Sequence, residues 1–161
     1  MITQKDLKTL YNWAKDTKFP TKRAPTTRGY CNKDIHHYWL KSTAKSILIR
    51  KKLMTDEVIR IHQNEDILYS GYSLFDPGTV LKPHRDPDIY REPYKRIQVP
   101  INIPDREKCY MTWNNERILW DEGDCQVYDV LSVIHDGANL SDKPMDFLFV
   151  DVKLDTIMES K

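Results

Sequence analysis

The stretch Ile67–Asp86 reads ILYSGYSLFDPGTVLKPHRD: two short runs rich in β-branched and aromatic residues, separated by Asp76-Pro77-Gly78. Pro followed by Gly sets a turn, and the flanking runs have the length and composition of strands, here Ile67–Phe75 and Val80–His84. The pattern continues towards the C-terminus. Further strands are expected at Ile97–Ile103, Cys109–Trp113, Glu116–Trp120, Cys125–Asp129 and Asp146–Val152. Pro104-Asp105, Asn114-Asn115 and Asp121-Glu122-Gly123-Asp124 mark turns between them. Short strands at this spacing specify a sandwich or a double-stranded jelly roll.

Before residue 67 the period changes. Leu7, Leu10, Tyr11 and Ala14 form a helical stripe, opened by Thr3 as N-cap with Asp6 three residues on. A second helical stripe is read through Ile35, Trp39, Ala44, Ile47 and Leu48, and a third through Val58 and Ile61. A Pro/Thr/Arg-rich loop, residues 19–29, separates the first two. The expected organisation is one domain over residues 1–161. A helical N-terminal layer (1–66) would cover one sheet of a jelly-roll core (67–152).

Composition fits that size of core: 161 residues, 40% hydrophobic and 11% aromatic. Lys and Arg total 25 against 24 Asp and Glu, a net charge of +1, which gives no general attraction to nucleic acid or to an anionic membrane. The N-terminal residues carry charges throughout and lack the apolar stretch of a secretory signal. Apolar runs such as Phe147–Val150 are too short to span a bilayer. Cys31, Cys109 and Cys125, odd in number and with no CxxC pair, read as reduced thiols, so a cytoplasmic location is expected.

The chemistry gathers around His84-Arg85-Asp86. In extended backbone, residues i and i+2 project to one face, so His84 and Asp86 offer an imidazole nitrogen and a carboxylate oxygen to one point, while Arg85 points away. His135 supplies a third ligand. Two histidines and a carboxylate form the facial triad of non-haem Fe(II) oxygenases, and zinc is the competing metal for the same donors.

Context singles out this pair from chance HxD matches. Residues 72–86 (YSLFDPGTVLKPHRD) and 120–151 (WDEGDCQVYDVLSVIHDGANLSDKPMDFLFVD) together resemble the aspartyl/asparaginyl β-hydroxylase family, a branch of the 2-oxoglutarate-dependent oxygenases. The shared pieces are Pro77-Gly78-Thr79, Pro83-His84, an Arg ahead of a strand ending in Ile103-Pro104, Trp120 with Glu122-Gly123, Tyr128-Asp129, His135 and a closing strand ending at Asp151. The likeness covers residues 68 to 152.

The resemblance implies a mainly β, cupin-like double-stranded β-helix binding Fe(II) through His84, Asp86 and His135, with 2-oxoglutarate as cosubstrate and O₂ as oxidant. It implies hydroxylation of an amino-acid side chain in a peptide or protein, or of a small amino-acid-like molecule. Position by position it assigns Ser73, Arg96 and Gln98 to the cosubstrate. Arg96 and Gln98 alternate correctly to share one strand face, and Arg suits a carboxylate held by two parallel hydrogen bonds. The sequence departs from the family twice. Asp86 supplies a carboxylate where the familiar animal members have none. Met145 stands where the family's second cosubstrate-binding arginine falls, and Lys143 is the nearest cation able to replace it. A cupin-like metal-dependent hydrolase or isomerase, and a non-catalytic jelly-roll binding module, are the other readings of these residues.

Other residues take plainer readings. His36-His37 and His62 are expected at the surface, and Asp129 in a structural hydrogen bond. Trp113 and Trp120 read as core or rim aromatics, and Cys125 as sharing a buried face with Val127. Lys22, Arg23, Arg28, Lys51 and Lys52 read as solvated charge. Residues 87–93 are expected to border a substrate entrance.

Overall fold

A computed structural model describes residues 1–24, 30–42, 47–87 and 92–156. Ala44, Arg28 and residues 88–91 of the expected entrance loop lie outside the described residues. In chain order the elements are α1 (Gln4–Lys15), β1 (Lys22–Ala24), β2 (Ile35–Ser42), β3 (Leu48–Ile49), α2 (Asp56–His62), β4 (Ile67–Phe75), β5 (Thr79–His84) and β6 (Tyr94–Asn102). They continue with β7 (Cys109–Trp113), β8 (Glu116–Leu119), β9 (Gln126–Tyr128), β10 (His135–Asn139) and β11 (Met145–Lys153).

Two antiparallel sheets result. Among the described residues the larger runs β1-β2-β4-β11-β6-β9, with β3 paired to β2, and the smaller runs β5-β10-β7-β8. The expected jelly roll is present, and strand boundaries in residues 67–153 fall within a few residues of those read from the sequence. The Asp76–Thr79 turn carries the chain from one sheet to the other. Gly78 sits at φ +82, which its missing Cβ permits, and its N–H donates to the Asn139 carbonyl at 2.7 Å. Asn114 and Asn115 both take positive φ in the two-residue connection between β7 and β8, as a primed hairpin turn requires.

The larger sheet separates two cores. Its outer face, with Ile97, Val99, Ile101, Leu148, Val150 and Val152, packs on Leu7, Leu10 and Ala14 of α1 and on Val58 and Ile61 of α2. Thr3 caps α1 as expected, in a capping box with Asp6. The inner face meets the smaller sheet through Tyr69, Phe75, Tyr94, Met111, Trp120 and Phe147. Among the described residues no helix is long and apolar enough to cross a membrane, and no disulfide links the three cysteines.

Four expectations are corrected. The stripe read as a second helix is mainly β2: Ile35, His37 and Trp39 alternate towards the interior with period two, pairing against β4. The N-terminal layer is therefore two helices interrupted by strands of the larger sheet. His62 is buried, not solvated, because it closes α2 against the core and its Nδ1–H donates to the Val58 carbonyl at 2.9 Å. Val127 is exposed while Cys125 is partly buried, since β9 is an edge strand. β10, read as no strand at all, lies at the centre of the smaller sheet.

Candidate metal centre and cavity

β5 and β10 are neighbours, and their register sets His84 directly across from His135. Asp86 follows β5, its N–H held by the Val130 carbonyl at 2.8 Å. Arg85 turns the other way and donates from Nε to the Ser132 carbonyl. One ligand atom from each of His84, Asp86 and His135 lies within 4.8 Å of the other two. Asp86 Oδ1 is 2.9 Å from His135 Nε2 and 3.4 Å from His84 Nε2.

Each imidazole is oriented from behind. His84 Nδ1 is 2.6 Å from the Lys82 carbonyl, and His135 Nδ1 is 2.9 Å from the Val133 carbonyl. A carbonyl only accepts, so both bonds place a proton on Nδ1 and leave Nε2 for the Asp86 side. Neutral rings in that tautomer would face the carboxylate lone pair to lone pair. A second proton on each ring, or a cation among the three, resolves the conflict, and the donor set fits a divalent metal. Aromatic rings hold the imidazoles flat: Tyr30 stacks on His84 at 4.1 Å and Trp113 on His135 at 5.2 Å.

Charge at the cluster follows the same geometry. Burial works against ionised Asp86, but hydrogen bonds from His135 and His84, with the Arg96 charge beside them, outweigh it. The carboxyl is held well below its usual range. Burial likewise opposes charge on His84, yet its contacts with Asp86 and the Lys82 carbonyl leave its pKa raised. Asp129 takes the structural part expected of it, accepting from the Ser132 N–H.

Facing the cluster is the inner side of the larger sheet. Arg96 on β6 donates from Nε and Nη2 to both oxygens of Asp151 on β11, at 2.7 and 2.9 Å. Its Nη1 donates to Asp86 Oδ2 at 2.9 Å. Arg96 is thus a strut between a fully buried carboxylate and the candidate ligand. The Phe149 ring lies 4.8 Å from its guanidinium, and Gly71 gives that ring its space, since a Cβ there would meet it at 2.6 Å. Between the two sheets lies a cavity of about 220 Å³ lined by His84, Asp86, His135, Arg96, Gln98 and Ser73, among others.

The structure therefore gathers six of the seven residues singled out for metal or cosubstrate. Lys143 is the exception: it is exposed and absent from the lining. The turn from β10 to β11 is pinned through its backbone, whose carbonyl accepts from the buried Asn139 amide at 2.9 Å, and this leaves the side chain outside. Met145, which is buried, takes the inward position on β11. Trp120 is core as expected, with its indole N–H donating to Tyr128.

Three contributors were missed. Tyr30 follows directly on the Pro/Thr/Arg-rich loop of residues 19–29, and no sequence signal marks it. Asp151 was noted only as a strand end, although a charge inside an apolar strand signals a buried pair. His37, read as surface, lines the cavity, and its Nδ1 is 2.7 Å from Ser73 Oγ. His36 is the outward member of the pair and donates to Asp76.

Comparison with solved structures agrees on the fold. A predicted oxalate decarboxylase from Thermotoga maritima aligns with a TM-score of 0.54 at 15% identity, over 83% of this chain and 92% of the other. A cupin-like protein from Thermotoga maritima gives a TM-score of 0.54 at 11% identity, covering 86% and 83% of the two chains. A cupin 2 conserved barrel domain protein from Rhodopseudomonas palustris gives 0.51 at 11% identity, covering 83% and 72%. Identities this low establish the cupin architecture and no activity. Among curated proteins there is no significant match. The family model for aspartyl/asparaginyl beta-hydroxylase, however, matches residues 7–154, nearly the whole chain and far beyond the segments that carry the resemblance. With its cupin-like jelly roll and that match, the chain belongs to the aspartyl/asparaginyl beta-hydroxylase family.

Proposed function

We propose that this member of a hydroxylase family is an Fe(II)- and 2-oxoglutarate-dependent oxygenase. Its substrate would be an amino-acid side chain in a peptide or protein, or a small amino-acid-like molecule. The observation that carries the reading is the pair of imidazoles, each with Nδ1 committed to a carbonyl and Nε2 turned to the same Asp86 carboxylate. Residues that only stabilised the fold would not need two rings preset in the ligating tautomer.

Fe(II) in such a site supplies open coordination positions for a 2-oxo acid and O₂. The chain's own residues do the rest. Asp86, locked by Arg96, fixes the donor set. Tyr30 and Trp113 keep the two rings from rotating. The volume is below the roughly 300–1,000 Å³ of drug-sized pockets, so it suits a small acid, with the larger substrate reaching the site from its open side. Gln98, almost fully buried in the wall, has a side-chain oxygen without a hydrogen-bond partner and is ready to accept from a bound molecule.

The test is metal stoichiometry followed by cosubstrate-dependent O₂ consumption. One Fe(II) per chain, lost in His84→Ala, and O₂ uptake that requires 2-oxoglutarate are the expected results. Unchanged iron binding in His84→Ala refutes the ligand assignment. Metal binding with no 2-oxoglutarate-dependent O₂ uptake refutes the oxygenase and favours a cupin-like hydrolase or isomerase.

A further inference from the structure

β5 does not reach the His84–Asp86–His135 cluster as a regular strand. Leu81 and His84 both line the cavity although they lie three residues apart, which strict alternation forbids. The extra residue is a bulge. The β10 register steps from Leu81↔Gly137 to His84↔His135 and passes over Lys82 and Pro83, both exposed. A bulge re-aims a side chain and disrupts the ladder locally, and Pro83 has no N–H to contribute. Support comes instead from the other edge of β5. Residues 30–33 lie along it as a short strap, with Cys31 bridged to Leu81. The Lys82 N–H donates to the Tyr30 carbonyl at 2.6 Å, and the Lys82 carbonyl accepts from His84 Nδ1. Asn32 makes three bonds to β5 and the turn before it. Its N–H donates to the Val80 carbonyl at 3.2 Å, its Nδ2 donates to the Gly78 carbonyl at 2.8 Å, and its Oδ1 accepts from the Val80 N–H at 2.7 Å.

We propose that Asn32 is a positioning residue for the candidate metal centre: it docks the strap on β5 so that Tyr30 lies flat against His84, and metal affinity depends on that docking. The inference rests on reading the cluster as a metal site. Asn32 itself is exposed and absent from the cavity lining, so it acts only through the strap. The chain leaves β5 after this residue and enters β2 of the larger sheet at Ile35. A side-chain amide offers the same donor and acceptor as a peptide group, so Asn32 supplies the pair of bonds that the departing backbone no longer makes. Tyr30 depends on this anchor, because its ring meets the His84 ring at 4.1 Å and only 10° from parallel. A small shift of the strap would break that stack, and His84 would lose the ring that limits its rotation. Groups that orient a ligating imidazole from outside the coordination sphere tune metal affinity strongly. The bonds concerned lie at an exposed sheet edge, where local opening is easiest.

The experiment measures Co(II) affinity of the full chain by competition with a chelating indicator, beside thermal melting of the metal-free proteins. Asn32→Ala should weaken Co(II) binding about tenfold, the worth of two neutral hydrogen bonds. Tyr30→Leu should weaken it by about tenfold or more. The double variant decides the matter. Because Asn32 acts through Tyr30, adding Asn32→Ala to Tyr30→Leu should weaken binding by no more than about twofold further. Asn32→Asp keeps the acceptor and loses the donor to the Gly78 carbonyl; it should fall between wild type and Asn32→Ala, and it replaces Asn32→Ala in the cycle if that protein does not fold. A purely structural Asn32 would lower the melting temperature and leave Co(II) affinity unchanged, or would weaken binding by the same factor in both backgrounds. Either result, or wild-type affinity in Tyr30→Leu, overturns the proposal while leaving the metal site in place. A wild-type chain that takes up no Co(II) removes the metal site itself, and this inference with it.

Discussion

Replacing Arg96 by Met tests whether the strut between Asp151 and Asp86 is built as described. Asp151 is fully buried and meets the guanidinium through two bonds of 2.7 and 2.9 Å, while the Arg96 side chain is itself only 20% exposed. The loss therefore belongs with buried ion pairs, not with surface ones: a carboxylate without its guanidinium costs about 3–5 kcal/mol. In a domain of this length that corresponds to a fall in Tm of about 6–20 °C. A second effect is expected at the metal. Asp86 Oδ2 loses the Nη1 donor that fixes its rotamer, and loss of an outer partner of this kind weakens metal binding about 10- to 100-fold. The double variant Arg96→Met with Asp151→Leu separates the two effects. An apolar pair in place of a buried ion pair is often neutral, so stability should return while metal affinity stays low. Urea unfolding at neutral pH and Co(II) titration of all three proteins read the cycle. An Arg96→Met protein destabilised by less than about 1 kcal/mol, or a double variant that regains metal affinity together with stability, would refute the strut.

Two further outcomes follow from buried contacts away from the ligands. His62 has a pKa lowered to about 4 by burial; an unfolded chain binds its proton near 6.5, so stability is complete above that value and is lost as pH falls from 6.5 towards 4, by about 2 kcal/mol between pH 7 and pH 5. His62→Gln should flatten the denaturant midpoint across that interval, and a wild-type pH slope retained in the variant places the proton elsewhere; Lys41, lowered to about 8, stays charged throughout. In Gly71→Ala the new methyl would come within 2.6 Å of Phe149, whose ring is confined by Arg96 at 4.8 Å and Trp39 at 5.4 Å. A cost of about 1–3 kcal/mol is expected, with weaker binding of 2-oxo acids, and an unchanged melting curve would show that the ring has room to move.

The half of the chain after residue 66 was legible because its strands are bounded by turn residues that leave little choice: Pro77-Gly78, Asn114-Asn115 and Gly123. The proximity of its candidate ligands was legible because extended backbone fixes what i and i+2 do. β10 was hidden for a physical reason. His135-Asp136-Gly137-Ala138-Asn139 has almost no β-propensity, yet it lies at the centre of a sheet, held by neighbours on both sides and by a buried Asn139 network. Propensity measures fit to a half-buried pleat, and tertiary pairing overrides it here. β2 was hidden by a coincidence of spacing. Ile35 and Trp39 are four apart, which serves a helix and the alternate positions of a strand equally well, and the residue between them that decides the matter, His37, is polar because it faces a cavity. Lys143 lies outside the cavity lining, in a β10–β11 turn whose backbone is held by Asn139, and nothing in composition reports that placement.

β11 shows how fold and site are made to depend on each other. Its outward residues Leu148, Val150 and Val152 complete the core beneath α1 and α2, and its inward residues Met145, Phe147 and Phe149 supply three successive levels of the cavity, with Asp151 holding Arg96 at the next. A slip of one residue would exchange the two sets. Asp151 would then enter an apolar core, and Arg96 would lose the carboxylate that positions it behind Asp86. The apolar set therefore pins the register at which the polar set becomes useful, and helices that touch no ligand hold the cavity wall in place. The same logic extends across β4 to β2, where Ser73 and His37 meet only because β4 is in register with β11. A cupin jelly roll of this size can thus place a carboxylate clamp at one level and a hydrogen-bonding pair at another without a dedicated loop for either. Substitutions in α1 that loosen Leu7 or Leu10 are for that reason expected to reach the candidate metal centre through β11 before the chain unfolds.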